Sequence, residues 1–109
     1  MNQLEPTNTR TDLLLVEDDP AIARTVTFAL EREGFVVTHA SLLGQASAAM
    51  AAKQFSAVVL DVGLPDGTGL DWCRELRARG SQIAVLILSA RTEELDRVLG
   101  LELGADFYP

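Results

Sequence analysis

The chain has 109 residues, a length typical of one globular domain, and 48% of them are hydrophobic while 23% are charged. This balance argues against intrinsic disorder, and the net charge of −7 argues against direct nucleic-acid binding, because an acidic surface repels phosphate groups. The single cysteine and the single histidine exclude a disulfide framework and a zinc site built from Cys and His ligands.

The first predicted elements follow a polar segment. Residues 1–11 have little apolar content, so we expect a flexible tail there and one domain over residues 12–109. The apolar run at 13–16 predicts a strand, and Asp19 is expected to cap a helix that begins at Pro20. No apolar segment reaches the roughly 18–20 residues of a membrane span, so we expect a cytoplasmic protein with no membrane partner.

Apolar runs and segments of helical period alternate along the rest of the chain. Thr68 and Asp71 have the spacing of a helix-capping box, while the Gly- and Pro-containing segment 62–67 is predicted to be a loop. Continuously apolar strands are typical of a parallel sheet that helices cover on both faces, so we expect a doubly wound α/β fold. Further strands are expected at 35–38, 57–60, 83–88 and 107–108, with helices near 42–53, 70–79 and 93–103.

Three of the predicted strands end in polar residues, at the sheet edge where such folds bind ligands. Glu17 and Asp18 follow the first strand, Asp61 follows the third, and Ser89 follows the fourth. If the first and third strands are neighbours, the three carboxylates converge and raise one another's pKa values unless a cation binds. Such oxygen ligands suit Mg²⁺, and a hydroxyl donor beside them completes a site for phosphoryl transfer onto a carboxylate. Taken alone, each carboxylate is more simply explained as solvated surface charge, so this prediction depends on the set.

Four segments resemble the sequence motifs of response-regulator receiver domains, in the same order and on the same elements. Residues 14–20, 58–67 and 85–91 resemble the three site motifs, and residues 100–108 resemble the segment before the last strand in the OmpR/PhoB-type subfamily. Within that subfamily, the stretches at 61–65 and 89–97 are most similar to those of CreB-like regulators. The resemblance implies a flavodoxin-like fold over nearly the whole chain.

The resemblance also implies a role for each residue of the acidic set. Asp61 would be the phospho-acceptor and a Mg²⁺ ligand. Asp18 would bind the ion directly, and Glu17 would act mainly through metal-bound water. The backbone carbonyl of Gly63 would be a further metal ligand.

The resemblance further implies that two residues in the C-terminal part of the chain change conformation on phosphorylation. Ser89 would contact a phosphoryl oxygen and move towards it, and the Tyr108 ring would turn inward into the space that Ser89 vacates. The phosphate-binding lysine of the family lies just beyond the position of Tyr108. We therefore expect a receiver domain that is incomplete at its C-terminus, before its last strand and helix are finished.

The implied function is that of a signalling module and not of an enzyme. Its partners would be a sensor histidine kinase, which supplies the phosphoryl group, and a second copy bound through the last helix and strand. DNA would be reached only through an output domain that these 109 residues do not contain.

Two other functions stay open. A Mg²⁺-dependent phosphohydrolase with an aspartyl nucleophile would need the motif Asp-x-Asp-Gly-Thr, but Leu64 stands where the first acid is required. A non-phosphorylated interaction module would keep the fold without the chemistry. Among the remaining residues, we expect His39 to lie at a strand end away from the acidic set, Cys73 to be buried, and Trp72 to be partly exposed.

Overall fold

A parallel sheet with helices on both faces organises residues 11–88, the part of the chain that the computed structural model describes. In chain order its elements are β1 (Asp12–Val16), α1 (Pro20–Arg32), β2 (Val36–Ala40), α2 (Leu43–Ala52), β3 (Ala57–Asp61), β4 (Gly63–Leu64), β5 (Gly67–Thr68), α3 (Gly69–Ala78) and β6 (Ala84–Leu88). The strands β2, β1, β3 and β6 lie in that spatial order and are parallel, while β4 and β5 form a separate antiparallel pair. The predicted doubly wound, flavodoxin-like α/β fold is confirmed.

Some predictions fall on other parts of the chain. The tail over residues 1–10, Ser89, the helix at 93–103 and the strand at 107–108 with Tyr108 lie outside the described residues. Thr11 is half-buried, and its carbonyl accepts a hydrogen bond from the Val36 N–H at 2.9 Å.

Successive side chains of each strand enter cores on opposite faces of the sheet. On one face, Leu15 and Val59 pack with Ala23 of α1. On the other face, α2 contributes Ala46 and α3 contributes Cys73 to a larger core. The fully buried strand residues of this larger core are Leu14, Val16, Val58, Leu60, Val85 and Ile87. Because both faces are covered, the strands read as continuously apolar runs.

Helix α1 begins where its sequence predicts. The Asp19 Oδ1 accepts hydrogen bonds from the N–H groups of Ala21 and Ile22, at 2.9 and 3.2 Å. Pro20 occupies the first helical position, where no N–H is needed. Gly34, with φ of 96°, lets the chain turn back towards β2. None of the helices within residues 11–88 has the length and apolar character that a bilayer crossing needs.

Two segments differ from their predictions. The segment predicted as a loop, residues 62–67, instead forms most of a short hairpin of β4 and β5. The chain reverses at Pro65 and Asp66, and Gly67 allows the turn with its φ of 150°. Strand β2 ends at Ala40, two residues later than predicted, because all five of its residues pair with β1.

Helix α3 starts with part of the predicted capping box. The Thr68 hydroxyl accepts a hydrogen bond from the Asp71 N–H at 3.0 Å. The Asp71 carboxylate accepts from Arg74 at 3.1 Å, so the cap depends on the Thr68 hydroxyl.

Candidate metal centre

Three carboxylates meet where β1 and β3 end. These strands are neighbours, and the chain leaves them towards helices on opposite faces of the sheet, so their carboxyl ends border the crevice where such folds bind ligands. Glu17 and Asp18 directly follow β1, and Asp61 is the last residue of β3. One carboxylate oxygen from each of the three lies within 4.8 Å of the others. The predicted convergence of these side chains is confirmed.

Glu17 is the most enclosed member of the set, at 3% exposed. Its backbone N–H donates to the Ala40 carbonyl and its Oε2 accepts from the Asp19 N–H, both at 3.0 Å. Burial raises the pKa of the Glu17 carboxyl above its ordinary value; the Asp19 N–H opposes this, and the charges of Asp61, Asp18 and Asp19 raise it further. A nearby cation would offset both the burial and the repulsion.

The start of α3 fixes the backbone of Asp61. Gly69, the first residue of α3, lies so close that a Cβ atom there would collide with the Asp61 carbonyl oxygen. The Gly69 N–H donates to the Val62 carbonyl at 2.6 Å, and the Val62 N–H donates to the Asp61 Oδ1 at 2.9 Å. Only glycine allows α3 to begin directly against the end of β3.

The carboxylates border an open depression of about 470 Å³. Ile22 and Val26 of α1 and Leu88 of β6 form its apolar side, and Asp19 adds a further acid. Carboxylate oxygens in an accessible, partly polar depression are the hard ligands that Mg²⁺ prefers, with space for water and for an anionic ligand. The donor set therefore fits a magnesium ion.

The remaining predicted site residues have a different status. Gly63 is exposed and lies two positions after Asp61, at the start of β4. Ser89 and Tyr108 lie outside the described residues, although Leu88, which precedes Ser89 in sequence, lines the depression. The roles assigned to the Gly63 carbonyl, to Ser89 and to Tyr108 stay predictions.

Two predictions about other residues are wrong in part. His39 is exposed at a strand end, but its Nε2 lies 2.7 Å from the Glu17 carbonyl oxygen, because β1 and β2 are adjacent and end together. Trp72 is buried, at 6% exposed, because it packs in the larger core, where the Ser47 hydroxyl accepts its indole N–H at 2.9 Å. Cys73 is buried, as predicted.

The contacts made by Gly69 and Asp66 were not predictable from the residues beside them. The two oxygens of the Asp66 carboxylate accept hydrogen bonds from the N–H groups of Leu43 and Gly44, at 2.9 and 3.0 Å. These hydrogen bonds hold the pKa of Asp66 below its ordinary value. The one sequence signal was indirect, because Leu42 precedes α2 and has no side-chain oxygen to cap it.

Comparison with curated proteins identifies relatives of the chain. The family described as "Response regulator receiver domain" matches residues 13–108. The KDP operon transcriptional regulatory protein KdpE of Escherichia coli (strain K12) is 42% identical over 98 residues, which cover 90% of this chain and 43% of KdpE. Transcriptional regulatory protein CreB of the same strain is 47% identical over 100 residues, which cover 91% of this chain and 43% of CreB. The chain thus spans less than half the length of these relatives.

Comparison with solved structures agrees with the sequence relatives. The BeF3-activated N-terminal receiver domain of Klebsiella pneumoniae RstA superposes with a TM-score of 0.85 at 28% identity, covering 90% of this chain and 83% of that domain. The match in fold and the carboxylates at the expected strand ends agree with the family match over residues 13–108. The chain belongs to the response regulator receiver domain family, and its relatives are OmpR/PhoB-type regulators.

Proposed function

We propose that this chain accepts a phosphoryl group on Asp61 from a sensor histidine kinase, with Mg²⁺ held by the surrounding oxygens. One observation carries the proposal: the carboxylates of Glu17, Asp18 and Asp61 meet at the sheet edge in a chain of the receiver family. We expect one phosphoryl transfer per molecule and no turnover of small phosphoesters, as befits a signalling module.

The transfer is a substitution at phosphorus. A carboxylate oxygen of Asp61 forms a new O–P bond while the P–N bond of the kinase phosphohistidine breaks. The bonding electron pair goes to the imidazole nitrogen, which leaves as neutral imidazole when the other ring nitrogen carries a proton. With acetyl phosphate as donor, a P–O bond breaks instead, and the electron pair leaves with acetate.

The groups around Asp61 prepare it for this step. When bound, Mg²⁺ supplies positive charge that offsets the carboxylates and the incoming phosphoryl oxygens. Asp18 and Asp61 would hold the ion directly, the Gly63 carbonyl would add a neutral ligand, and Glu17 would act mainly through water. The hydrogen bond from the Asp19 N–H keeps the Glu17 carboxylate oriented towards the depression.

The response to phosphorylation involves residues near the end of the chain. We propose that Ser89 contacts a phosphoryl oxygen and that Tyr108 turns inward, so that the phosphate shifts the population between two packings. In a longer protein this shift would control homodimerisation through the last helix and strand and a DNA-binding output domain. The names of KdpE and CreB as transcriptional regulatory proteins support such an output. We place the protein in the cytoplasm, together with the catalytic part of its kinase.

The phosphohydrolase alternative is not favoured by the surroundings of Asp66. The two oxygens of that carboxylate are bonded to the backbone of α2, at Leu43 and Gly44. The carboxylate that joins Glu17 and Asp18 is Asp61. Asp66 is therefore placed as a structural anchor and not as the second acid of a hydrolase motif.

The proposal is tested by intact mass after incubation with acetyl phosphate. We expect the wild type to gain one phosphoryl group in the presence of Mg²⁺ and none with a chelator, while Asp61→Asn gains none. Asp71→Asn serves as a matched control, since Asp71 is an exposed aspartate of α3 that pairs with Arg74; it should be labelled as the wild type is. Equal labelling of the wild type and Asp61→Asn, or repeated turnover of a phosphoester, would contradict the proposal.

A further inference from the structure

We infer that Asp66 is a positioning residue for the metal centre, because its carboxylate ties the hairpin that follows Asp61 to the start of α2. The hairpin comprises residues 62–69 and carries Gly63, the proposed carbonyl ligand. The inference rests on the proposed function, since it concerns the same Mg²⁺ site.

Helix α2 lacks a cap of its own. Its N-cap residue is Leu42, which has no oxygen to accept the first N–H groups of the helix, and its first turn contains no acidic residue. The N–H groups of Leu43 and Gly44 are instead satisfied by Asp66, which lies 23 and 22 residues further along the chain. The carboxylate also lies at the positive end of the helix dipole, which favours negative charge there. Asp66 therefore bonds to α2 through charge-assisted hydrogen bonds.

The hairpin is fixed at its base and at its tip. At the base, the Gly69 N–H donates to the Val62 carbonyl at 2.6 Å, and Gly69 lies against the Asp61 backbone. At the tip, Asp66 is bonded to α2, and a Cβ atom at Gly67 would lie 3.1 Å from the Leu43 side chain. Between these points β4 pairs with β5 over two residues, and Leu64 packs against the larger core.

The anchoring at the tip determines how precisely the Gly63 carbonyl is placed. A two-residue antiparallel pair is weak by itself, so without Asp66 the hairpin would keep its base and the Leu64 contact but lose its polar attachment at the tip. A metal ligand that is already in position binds with less loss of conformational freedom than one that must be ordered. Loss of the Asp66 carboxylate should therefore weaken Mg²⁺ binding although Asp66 is not a member of the carboxylate set.

The experiment compares Asp66→Ala with a control at the same helix end. The Gln45 side-chain oxygen accepts hydrogen bonds from the Ser41 N–H and hydroxyl, at 2.8 and 3.0 Å, so Gln45→Ala weakens the start of α2 without removing a contact to the hairpin. Two properties of the full 109-residue chain are measured: the Mg²⁺ dissociation constant by calorimetry, and amide hydrogen exchange across residues 62–69 in metal-free protein.

For Asp66→Ala we expect a roughly tenfold weaker Mg²⁺ affinity, the size seen when residues that orient metal ligands are lost, together with faster exchange in the hairpin. Asp66→Asn keeps one acceptor oxygen, so its Mg²⁺ affinity and its hairpin exchange rate should lie between those of Asp66→Ala and the wild type. Gln45→Ala should leave the Mg²⁺ affinity and the hairpin exchange unchanged.

The outcomes separate this inference from the proposed function. Equal Mg²⁺ affinity in the wild type and Asp66→Ala overturns the inference alone, as does an equal loss of affinity in Gln45→Ala. A folded wild type that binds no Mg²⁺ overturns both. If the tenfold difference is found but Asp61 accepts no phosphoryl group, the inference stands and the proposed phosphoryl transfer fails.

Discussion

The two segments that supply the carboxylates of the metal centre are held in different ways. The side chains of the segment after β1, residues 17–19, bond to neighbours in sequence: the Asp19 N–H donates to Glu17, and the Asp19 side chain caps the helix that follows. The Glu17 backbone bonds to the adjacent strand β2. The segment that begins with the last residue of β3, residues 61–69, is held mainly by contacts with other elements, because Asp66 bonds to the start of α2 and Gly69 lies against the Asp61 backbone.

This difference has a consequence for how each half of the site forms. The Glu17 side needs β1, the adjacent β2 and the first turn of α1, since its side-chain hydrogen bonds span two or three residues and its backbone bonds to β2. The Asp61 side needs α2 and α3 to be packed in place. Weakening α2 or α3 should therefore disturb the Asp61 side first, and local opening should begin there.

Gly69→Ala, on the Asp61 side of the site, is expected to have the largest effect. The new Cβ would collide with the Asp61 carbonyl oxygen, so the start of α3 or the end of β3 must shift. We expect a loss of about 3 kcal/mol in the free energy of unfolding, as for other severe overpacking changes. Urea denaturation followed by the fluorescence of Trp72, the single tryptophan, measures it.

Gly63→Ala is the matched control for that change. A Cβ atom at Gly63 would have no neighbour within 4 Å, and the substitution keeps the backbone carbonyl. The free energy of unfolding should change by no more than about 0.5 kcal/mol. If Gly69→Ala proved as mild as Gly63→Ala, α3 would not be seated on Asp61 as described.

A smaller effect is expected on the other side of the site, from Asp19→Ala. Loss of the α1 cap should lower the free energy of unfolding by about 1 kcal/mol. The exchange of hairpin amides should not change, because the cap bonds stay within residues 19–22. Chemical denaturation and hydrogen exchange measure the two quantities, with Glu31→Ala, an exposed acid of the same helix, as control. Faster exchange in the hairpin would show that the two segments are not independent.

The smallest effect is expected from Glu17→Gln in metal-free protein, and its sign depends on pH. Because burial raises the pKa of Glu17 in the folded state above the ordinary 4.5, the folded state holds this proton more tightly than the unfolded state does. The stability that wild-type Glu17 contributes is therefore complete below about pH 4.5 and is lost as the pH rises through the folded-state pKa.

Denaturation of both proteins with a chelator, from about pH 4 to about pH 8, checks this expectation. Wild type should become progressively less stable relative to Glu17→Gln as the pH rises, and added Mg²⁺ should reverse the order at neutral pH. If the difference in the free energy of unfolding between the two proteins did not vary with pH, burial would not be the cause of the raised pKa of Glu17.

The sequence predicted those features that depend on neighbouring residues. The strands follow from apolar runs, and the Asp19 cap follows from the residues beside it. The convergence of Glu17, Asp18 and Asp61 was expected on the condition that the first and third strands are neighbours, which the sheet order fulfils. The contacts of Asp66 were not predictable in this way, because nothing near position 66 specifies a helix start 23 residues earlier. The burial of Trp72 was missed for the same reason, since its partner Ser47 lies on another helix.

The contact between β2 and the metal centre gives this chain a built-in spectroscopic reporter. The ring Nε2 of His39 lies 2.7 Å from the Glu17 carbonyl oxygen, and a carbonyl can only accept, so Nε2 carries the proton. His39 is the single histidine of the chain, so its imidazole resonances in a magnetic-resonance spectrum need no assignment. The chemical shift of that one ring would follow the main chain at Glu17 during a titration, with no label attached and no residue replaced.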